Sequence, residues 1–400
     1  MLSKVELRES RLYVVFLACM VAVGPLSMDV YLPSLQVIAD HFKADIAAVN
    51  LTISSFMIGS AIGQFLGGAM SDQLGRKTIG LTGVGIFLVS TLLILFAENI
   101  QTVQFLRVTQ ALGSGFASVV CLAQIRDLYP KEEVMKRFAN VMFIMFLAPL
   151  LAPFLGATLV QFGWHYIFLF LIGWGSIIFV IYIFCIPETV IDKADRFTFP
   201  ELFTGYLRVL THRVDGRITA SRYILFAGFS SSIFMTFLTN SGMIYMQYFE
   251  VSSYQFAFIF SAHGLMLMLG NRVAVKLASS RPGLKVLRGL NLLQLILTTL
   301  LFSITLLGLY SLGVILVFTL IIMAFNGAIN PTTSGLFITY FDKNAGAAAS
   351  LNTTTVFIFG GVIGGLAALL ANGELLPIFM LMMLASMIAR CVLLTIRENH

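Results

Sequence analysis

Apolar residues run along the chain in stretches of about twenty, each closed by charged or turn residues, the length a helix needs to cross a bilayer core near 30 Å thick. Six such stretches extend over Leu12–Pro33, Ile46–Met70, Thr78–Ala97, Thr102–Ile125, Phe138–Val160 and Trp164–Pro187. Six more follow over Tyr223–Gln247, Tyr254–Gly270, Val286–Leu309, Leu312–Gly335, Ala345–Ala371 and Leu375–Ile396. The pattern predicts an all-α membrane protein of twelve transmembrane helices. The one sizeable polar break falls between the sixth and the seventh. It predicts an N-terminal six-helix bundle over 1–187, a central loop over 188–221 and a C-terminal six-helix bundle over 222–400. Within that loop the amphipathic stretch Pro200–Leu210 suits the inner membrane surface.

Composition excludes the soluble classes. Apolar side chains make up 58% of the chain and charged ones 11%, whereas soluble domains carry roughly 25% charged residues. Too little polar surface remains to coat a water-soluble enzyme, and a nucleic-acid module or a disordered scaffold fits no better. The net charge of +6 sets orientation rather than an anionic partner. With the N-terminus inside, Lys43 stands alone among Lys and Arg in the outer loops and Arg107 lies within a span, so both termini are expected in the cytoplasm. Cys19, Cys121, Cys185 and Cys391 all lie in apolar runs without CxxC spacing, which supports neither disulfides nor a zinc site. The first apolar segment ends in Asp29-Val30-Tyr31-Leu32-Pro33 without a small-residue cleavage site and is expected to be retained. There is no HExxH, GxSxG or P-loop sequence, so no enzyme activity, metal or cofactor is expected.

Between the second and third spans the chain reads Gly67-Gly68-Ala69-Met70-Ser71-Asp72-Gln73-Leu74-Gly75-Arg76-Lys77. Its glycines permit close helix approach and a tight turn. Asp72 and Arg76 set opposite charges on a very short loop, able to latch the two bundles in one state and release them in another. An ordinary basic loop accounts for Arg76 and Lys77 but not for Asp72 or the glycine spacing. This segment resembles motif A of the major facilitator superfamily. Leu106-Arg107-Val108-Thr109-Gln110-Ala111-Leu112-Gly113 resembles motif B, and Ala148-Pro149-Leu150-Leu151-Ala152-Pro153-Phe154-Leu155-Gly156 the antiporter motif C. Ser27-Met28-Asp29-Val30-Tyr31-Leu32-Pro33 resembles the first-span signature of twelve-span drug:proton antiporters of the bicyclomycin and chloramphenicol resistance type. The resemblance implies the major facilitator fold and a proton as the coupling ion.

Asp29 stands about four residues before the outer end of the first span, and Arg107 about five inside the outer end of the fourth. At 1.5 Å per residue both lie roughly 6 to 8 Å deep. Ionised groups within a bilayer are costly and usually mark an ion or substrate path. Two readings stand for Asp29: the proton-titrating carboxylate with Arg107 as its tuning cation, or a cap for polar backbone around Pro33. For Arg107 the alternative is snorkelling to the interface. Arg126 and Asp127 lie about twenty residues, or roughly 30 Å, further along the fourth span. They are expected to join Asp72 and Arg76 in the latch.

Pro149, Pro153 and Gly156 place helix breakers one turn apart, bending the fifth span and leaving small surfaces for close packing with the partner bundle. The resemblance implies an outer gate there that favours exchange; a tolerated kink is the plain alternative. Tyr31, Gln110, Asn240, Tyr245, His263 and Asn330 are polar groups at membrane depth that suit a substrate cavity or, equally, glue helices together. His263 is not assigned the coupling proton. The resulting expectation is a monomeric, proton-coupled antiporter in a bacterial inner membrane, exporting small amphipathic compounds, with protons, a small-molecule substrate and lipid as partners and no nucleic acid. A dedicated exporter of one metabolite or siderophore is the alternative, and an uptake symporter is disfavoured by the fifth-span motif.

Overall fold

The computed structural model describes residues 10–189, 199–211, 213–214, 217–218, 220–278, 283–341 and 345–396. Helix α1 (Arg11–Asp29) gives way to a 3-10 turn (Leu32–Ser34) and α2 (Leu35–Phe42). Then come α3 (Ile46–Leu74), α4 (Arg76–Ile94), α5 (Ile100–Leu128), α6 (Lys131–Leu159) and α7 (His165–Cys185). After α8 (Phe199–Leu210) the backbone forms a two-residue antiparallel ladder pairing 213–214 with 217–218. The rest is α9 (Ala220–Gly242) with a π-helical extension (Met243–Tyr248), α10 (Ser253–Ala278), α11 (Gly283–Leu306), α12 (Leu312–Ile338), α13 (Ala345–Ala371) and α14 (Leu376–Leu394). Among the described residues, eleven helical runs are long and apolar enough to cross a membrane, and a shorter apolar run, Pro149–Phe162, continues from α6 into a 3-10 turn and overlaps the fifth predicted span. The protein is a multi-pass integral membrane protein.

Local chemistry explains several boundaries. The Asn99 side chain accepts from the Thr102 amide at 2.8 Å and starts α5, satisfying one of the donors a helix N-terminus leaves open. The first span does not stop at Pro33: the proline initiates the 3-10 turn and the chain re-enters a helix to Phe42, ending at Lys43 in the left-handed region. Residues 190–198 of the predicted central loop lie outside the described residues. The amphipathic stretch that follows is α8, whose Tyr206 and Val209 are buried. The Tyr206 hydroxyl lies 3.3 Å from Ser350 Oγ on α13.

The chain forms two compact units, one of residues Met1–Asp45 with Ser55–Phe199 and one of Ile46–Ser54 with Pro200–His400. In the first, α1 packs on α6 and α5, and α4 packs on α5 and α7. The α4–α5 crossing is a backbone contact: a Cβ on Gly83 would stand 2.7 Å from the Gly113 carbonyl oxygen, closer than side chains tolerate. In the second unit α9 packs on α13, α14 and α12, and α10 packs on α12. Gly270 and Gly327 leave no room for a Cβ at the last of these crossings. Small residues at such crossings let helices approach where lipid offers no hydrophobic gain from association.

Candidate functional site

Asp29 closes α1 and is 5% exposed. The backbone around Pro33 satisfies itself, with Val30 donating to Leu26 O and Ser34 to Tyr31 O, each at 3.0 Å. Among the described residues the Asp29 carboxylate makes no hydrogen bond, and no cation lies within 4 Å of it. The capping reading of Asp29 therefore fails. Arg107, on α5, is wholly buried, which also removes the snorkelling reading. Its Nη1 donates to Gln110 Oε1 at 2.8 Å and to Ser27 O at 3.3 Å. Its guanidinium carbon stands 4.5 Å from the Tyr31 ring centroid and 4.3 Å from that of Phe56. Aromatic faces attract a cation electrostatically, so the charge is held by two rings, an amide and a carbonyl two residues before Asp29. Arg107 Nε and Nη2 have no hydrogen-bond partner among the described residues.

Gln110 is spent on this network. It accepts from Arg107 and donates to Thr91 Oγ1 on α4 at 2.8 Å, and Thr91 passes its own proton to Phe87 O. Tyr31, also fully buried, meets Phe168 edge-on at 5.9 Å. These two predicted cavity residues sit in the interior of the first unit, bracing Arg107.

A second cluster gathers where α3 meets α4. Arg76 forms an ion pair with Asp72 and another with Asp127 at 3.0 Å, and donates from Nη1 to Ser71 Oγ at 2.6 Å. Thr189 Oγ1 donates to the same Asp127 oxygen at 3.2 Å. Arg126, expected in this group, is exposed and without a partner among the described residues. One helical residue turns a side chain by about 100°, so Asp127 faces Arg76 and Arg126 does not. Sequence reasoning missed Glu188. Its carboxylate accepts from the backbone amides of Arg76 at 2.9 Å and Lys77 at 3.1 Å, and so caps α4 from 112 positions away. Gly75, at φ 100°, has no room for a Cβ beside that carboxylate. Tyr182 of α7 adds a bond to Arg76 O at 3.1 Å and accepts from Gln124 at 3.1 Å. The charges expected to pair across the bundles thus close a network within the first unit.

The proline pair lies inside α6. Gly156 is set against the Val30 carbonyl, with no room for a Cβ, and 3.1 Å from Pro33 Cγ by the same measure. Its small surface serves contact with α1 in the same unit, which corrects the expectation of packing against the partner bundle. The α1–α6 contact is extensive, and the bare face of Gly156 points along it.

The remaining predicted residues lie in the second unit. Asn240 donates to Thr236 O at 2.9 Å and Gly364 O at 3.2 Å, and its Oδ1 has no hydrogen-bond partner among the described residues. Asn330 accepts from Ser231 at 2.8 Å. Tyr245 and His263 converge on Thr319 Oγ1 at 2.8 and 2.9 Å. Sequence reasoning passed over Thr319 because a lone threonine in an apolar span has no distinguishing pattern.

Comparison with known proteins follows from this geometry. A family model described as Major Facilitator Superfamily matches residues 17–365, spanning both units. The chain belongs to the Major Facilitator Superfamily. It is 26% identical over 366 residues to the bicyclomycin resistance protein homolog of Haemophilus influenzae, covering 89% of each chain. It is 28% identical over 254 residues to the multidrug transporter MdfA of Escherichia coli, covering 63% of this chain and 61% of that one. Among solved structures, a D-xylose–proton symporter superposes with a TM-score of 0.71 at 15% identity, covering 95% of this chain and 97% of that one. That likeness shows the fold. As a member of the superfamily the protein is a transporter and not an enzyme, and Asp29, Arg107 and the Tyr245–Thr319–His263 group all lie inside the matched region.

Proposed function

We propose that this transporter is a proton-coupled antiporter that exports small amphipathic compounds by alternating access, as a monomer in a bacterial inner membrane with both termini cytoplasmic. Similarity to proteins named for bicyclomycin resistance and multidrug transport supports the substrate class. The observation that carries the coupling is Asp29, buried and without a cationic partner among the described residues, on the same helix whose Ser27 carbonyl accepts from the buried Arg107. A carboxyl so placed exchanges its charge with a proton. Arg107 sets how readily it does so.

The magnitude follows from Coulomb's law. At an effective dielectric of about 20, a carboxylate and a guanidinium attract by roughly 4 kcal/mol at about 4 Å and half that at about 8 Å. Moving α1 against α5 by a few ångströms therefore changes the proton affinity of Asp29 by about thirtyfold. Rocking of the two bundles becomes linked to proton uptake and release where it is accompanied by this shift of α1 against α5 within the first unit. The Asp72–Arg76–Asp127 group, gathered around the buried Arg76, biases this equilibrium by holding the turn between α3 and α4. Pro149, Pro153 and Gly156 keep α6 and α1 in register at the gate. Sequence alternatives, a one-metabolite exporter among them, are separated by the range of compounds moved.

The test is reconstitution into liposomes with an imposed pH gradient, using chloramphenicol and bicyclomycin as probes. Wild-type protein should accumulate them against their gradient, and Asp29→Asn should lose the drive while retaining one-for-one exchange. Gradient-driven accumulation by Asp29→Asn equal to wild type would refute the coupling role.

A further inference from the structure

His263 lies in the second unit, far along the chain from Asp29, and its hydrogen bonds carry information about protons. Nδ1 is 2.7 Å from Ile259 O. A carbonyl only accepts, so Nδ1 bears hydrogen. Nε2 is 2.9 Å from Thr319 Oγ1. That hydroxyl has one proton and two claimants: Nε2, and Ile315 O at 2.8 Å, with Leu316 O at 3.1 Å behind it. The Tyr245 hydroxyl, 2.8 Å from Thr319 Oγ1, has no other hydrogen-bond partner among the described residues and, with the one Thr319 proton claimed elsewhere, supplies its own proton to Thr319.

Two complete arrangements satisfy these contacts. In one, Thr319 donates to Nε2 and the imidazole is neutral. In the other, Thr319 donates to Ile315 O, Nε2 carries a second hydrogen that it gives to Thr319, and the ring is an imidazolium. They differ by one proton on Nε2 and one hydroxyl rotation, with every other bond kept. Phe237 stacks on the imidazole at 4.6 Å and 29°, a face that welcomes a cation. The charges on the elements around His263 stand away from it along their helices: α10 itself carries Arg272 and Lys276 towards its end, α9 and α11 carry Arg222, Lys285 and Arg288 in their opening turns, the π-helical turn brings Tyr245 and Tyr248, and α12 contains no Asp, Glu, Lys, Arg or His. Tyr245 sits on that π-helical turn, Met243–Tyr248, a rare distortion that is frequent at functional sites.

We infer that His263, Thr319 and Tyr245 form a second proton-binding site, separate from Asp29, in which the Thr319 hydroxyl switches partner as the proton arrives. The site goes beyond the coupling assigned to Asp29 and stands whether or not that assignment holds.

The test is NMR of the full-length protein in lipid nanodiscs with 15N-labelled histidine, the His263 signals being assigned by their loss in His263→Asn. The expected neutral form carries hydrogen on Nδ1 and none on Nε2, and acid converts it to the doubly protonated ring. Thr319→Val removes the acceptor of the charge-assisted bond, the stronger of the two Nε2 bonds, and should weaken proton binding about tenfold; Thr319→Ser should restore it. Tyr245→Phe should shift the affinity the opposite way, because Tyr245 strengthens Thr319 as a donor and weakens it as an acceptor. A packing role alone would not give opposite signs. A neutral ring with hydrogen on Nε2, a ring that never takes a second proton while the protein stays folded, or equal shifts in the two variants would overturn the inference.

Discussion

Removing the Glu188 carboxylate should loosen the start of α4 by a predictable amount. The side chain accepts from two amides at the first turn, at 2.9 and 3.1 Å, and from its neighbour Thr189 at 2.9 Å. Those first amides have no partners within their own helix. Losing a side-chain cap typically costs about 0.5–2 kcal/mol, and losing a negative charge from a helix N-terminus about 0.3–1 kcal/mol. Half-burial and the two simultaneous bonds place Glu188→Ala in the upper part of the first range, about 1–2 kcal/mol. The effect is local, because α4 is held along its length by α5 and α7. Amide exchange at Arg76 and Lys77, followed by mass spectrometry in nanodiscs, should therefore accelerate roughly 5- to 30-fold, with little change in the middle of α4. Glu188→Gln keeps an acceptor and loses the charge, and should give an intermediate rate. Unchanged exchange at 76–77 in Glu188→Ala, or acceleration spread evenly over α4, would refute the argument.

Other substitutions test neighbouring parts of the account. Gly75→Ala meets both a positive φ and the Glu188 carboxylate, so the same amides should exchange faster and the thermal midpoint in detergent should fall. Gly156→Leu forces side-chain atoms against the Val30 carbonyl and should cost about 1–3 kcal/mol by overpacking, read as a lower unfolding midpoint and a widened α1–α6 distance by spin labelling. Arg107→Lys keeps the charge but loses the guanidinium over the Tyr31 and Phe56 rings and the Nη1 bond to Gln110. Gradient-driven transport should fall at least tenfold while expression is retained. Arg126→Ala, by contrast, removes an exposed side chain without a partner and should leave transport within about twofold of wild type.

Much of the architecture is legible in the chain because lipid demands it: a span must be apolar for about twenty residues and its backbone must bond internally. The short turn from Asp72 to Arg76 is legible as well, since a break as tight as the one at Gly75 between α3 and α4 keeps charges four residues apart within reach of each other. What escapes is anything decided by rotation about a helix axis or by distant partners. Gly156 announces close packing, but only the crossing shows that its neighbour is Val30 of α1. Arg126 and Asp127 are adjacent in sequence, yet one turns to Arg76 and the other away. Glu188 reads as the first residue of a polar loop, and nothing local announces that it caps a helix beginning 112 residues earlier. Gln110 and Tyr31 read as polar groups available to a substrate, whereas both are committed to Arg107.

The central claim is that a buried acid on the first span hands its proton over when substrate arrives. Purified protein in lightly buffered detergent, near neutral pH and with a pH indicator, tests this directly on addition of chloramphenicol. Wild-type protein should release protons in proportion to the substrate bound, and Asp29→Asn should bind without releasing them. Equal proton release from both would contradict the account.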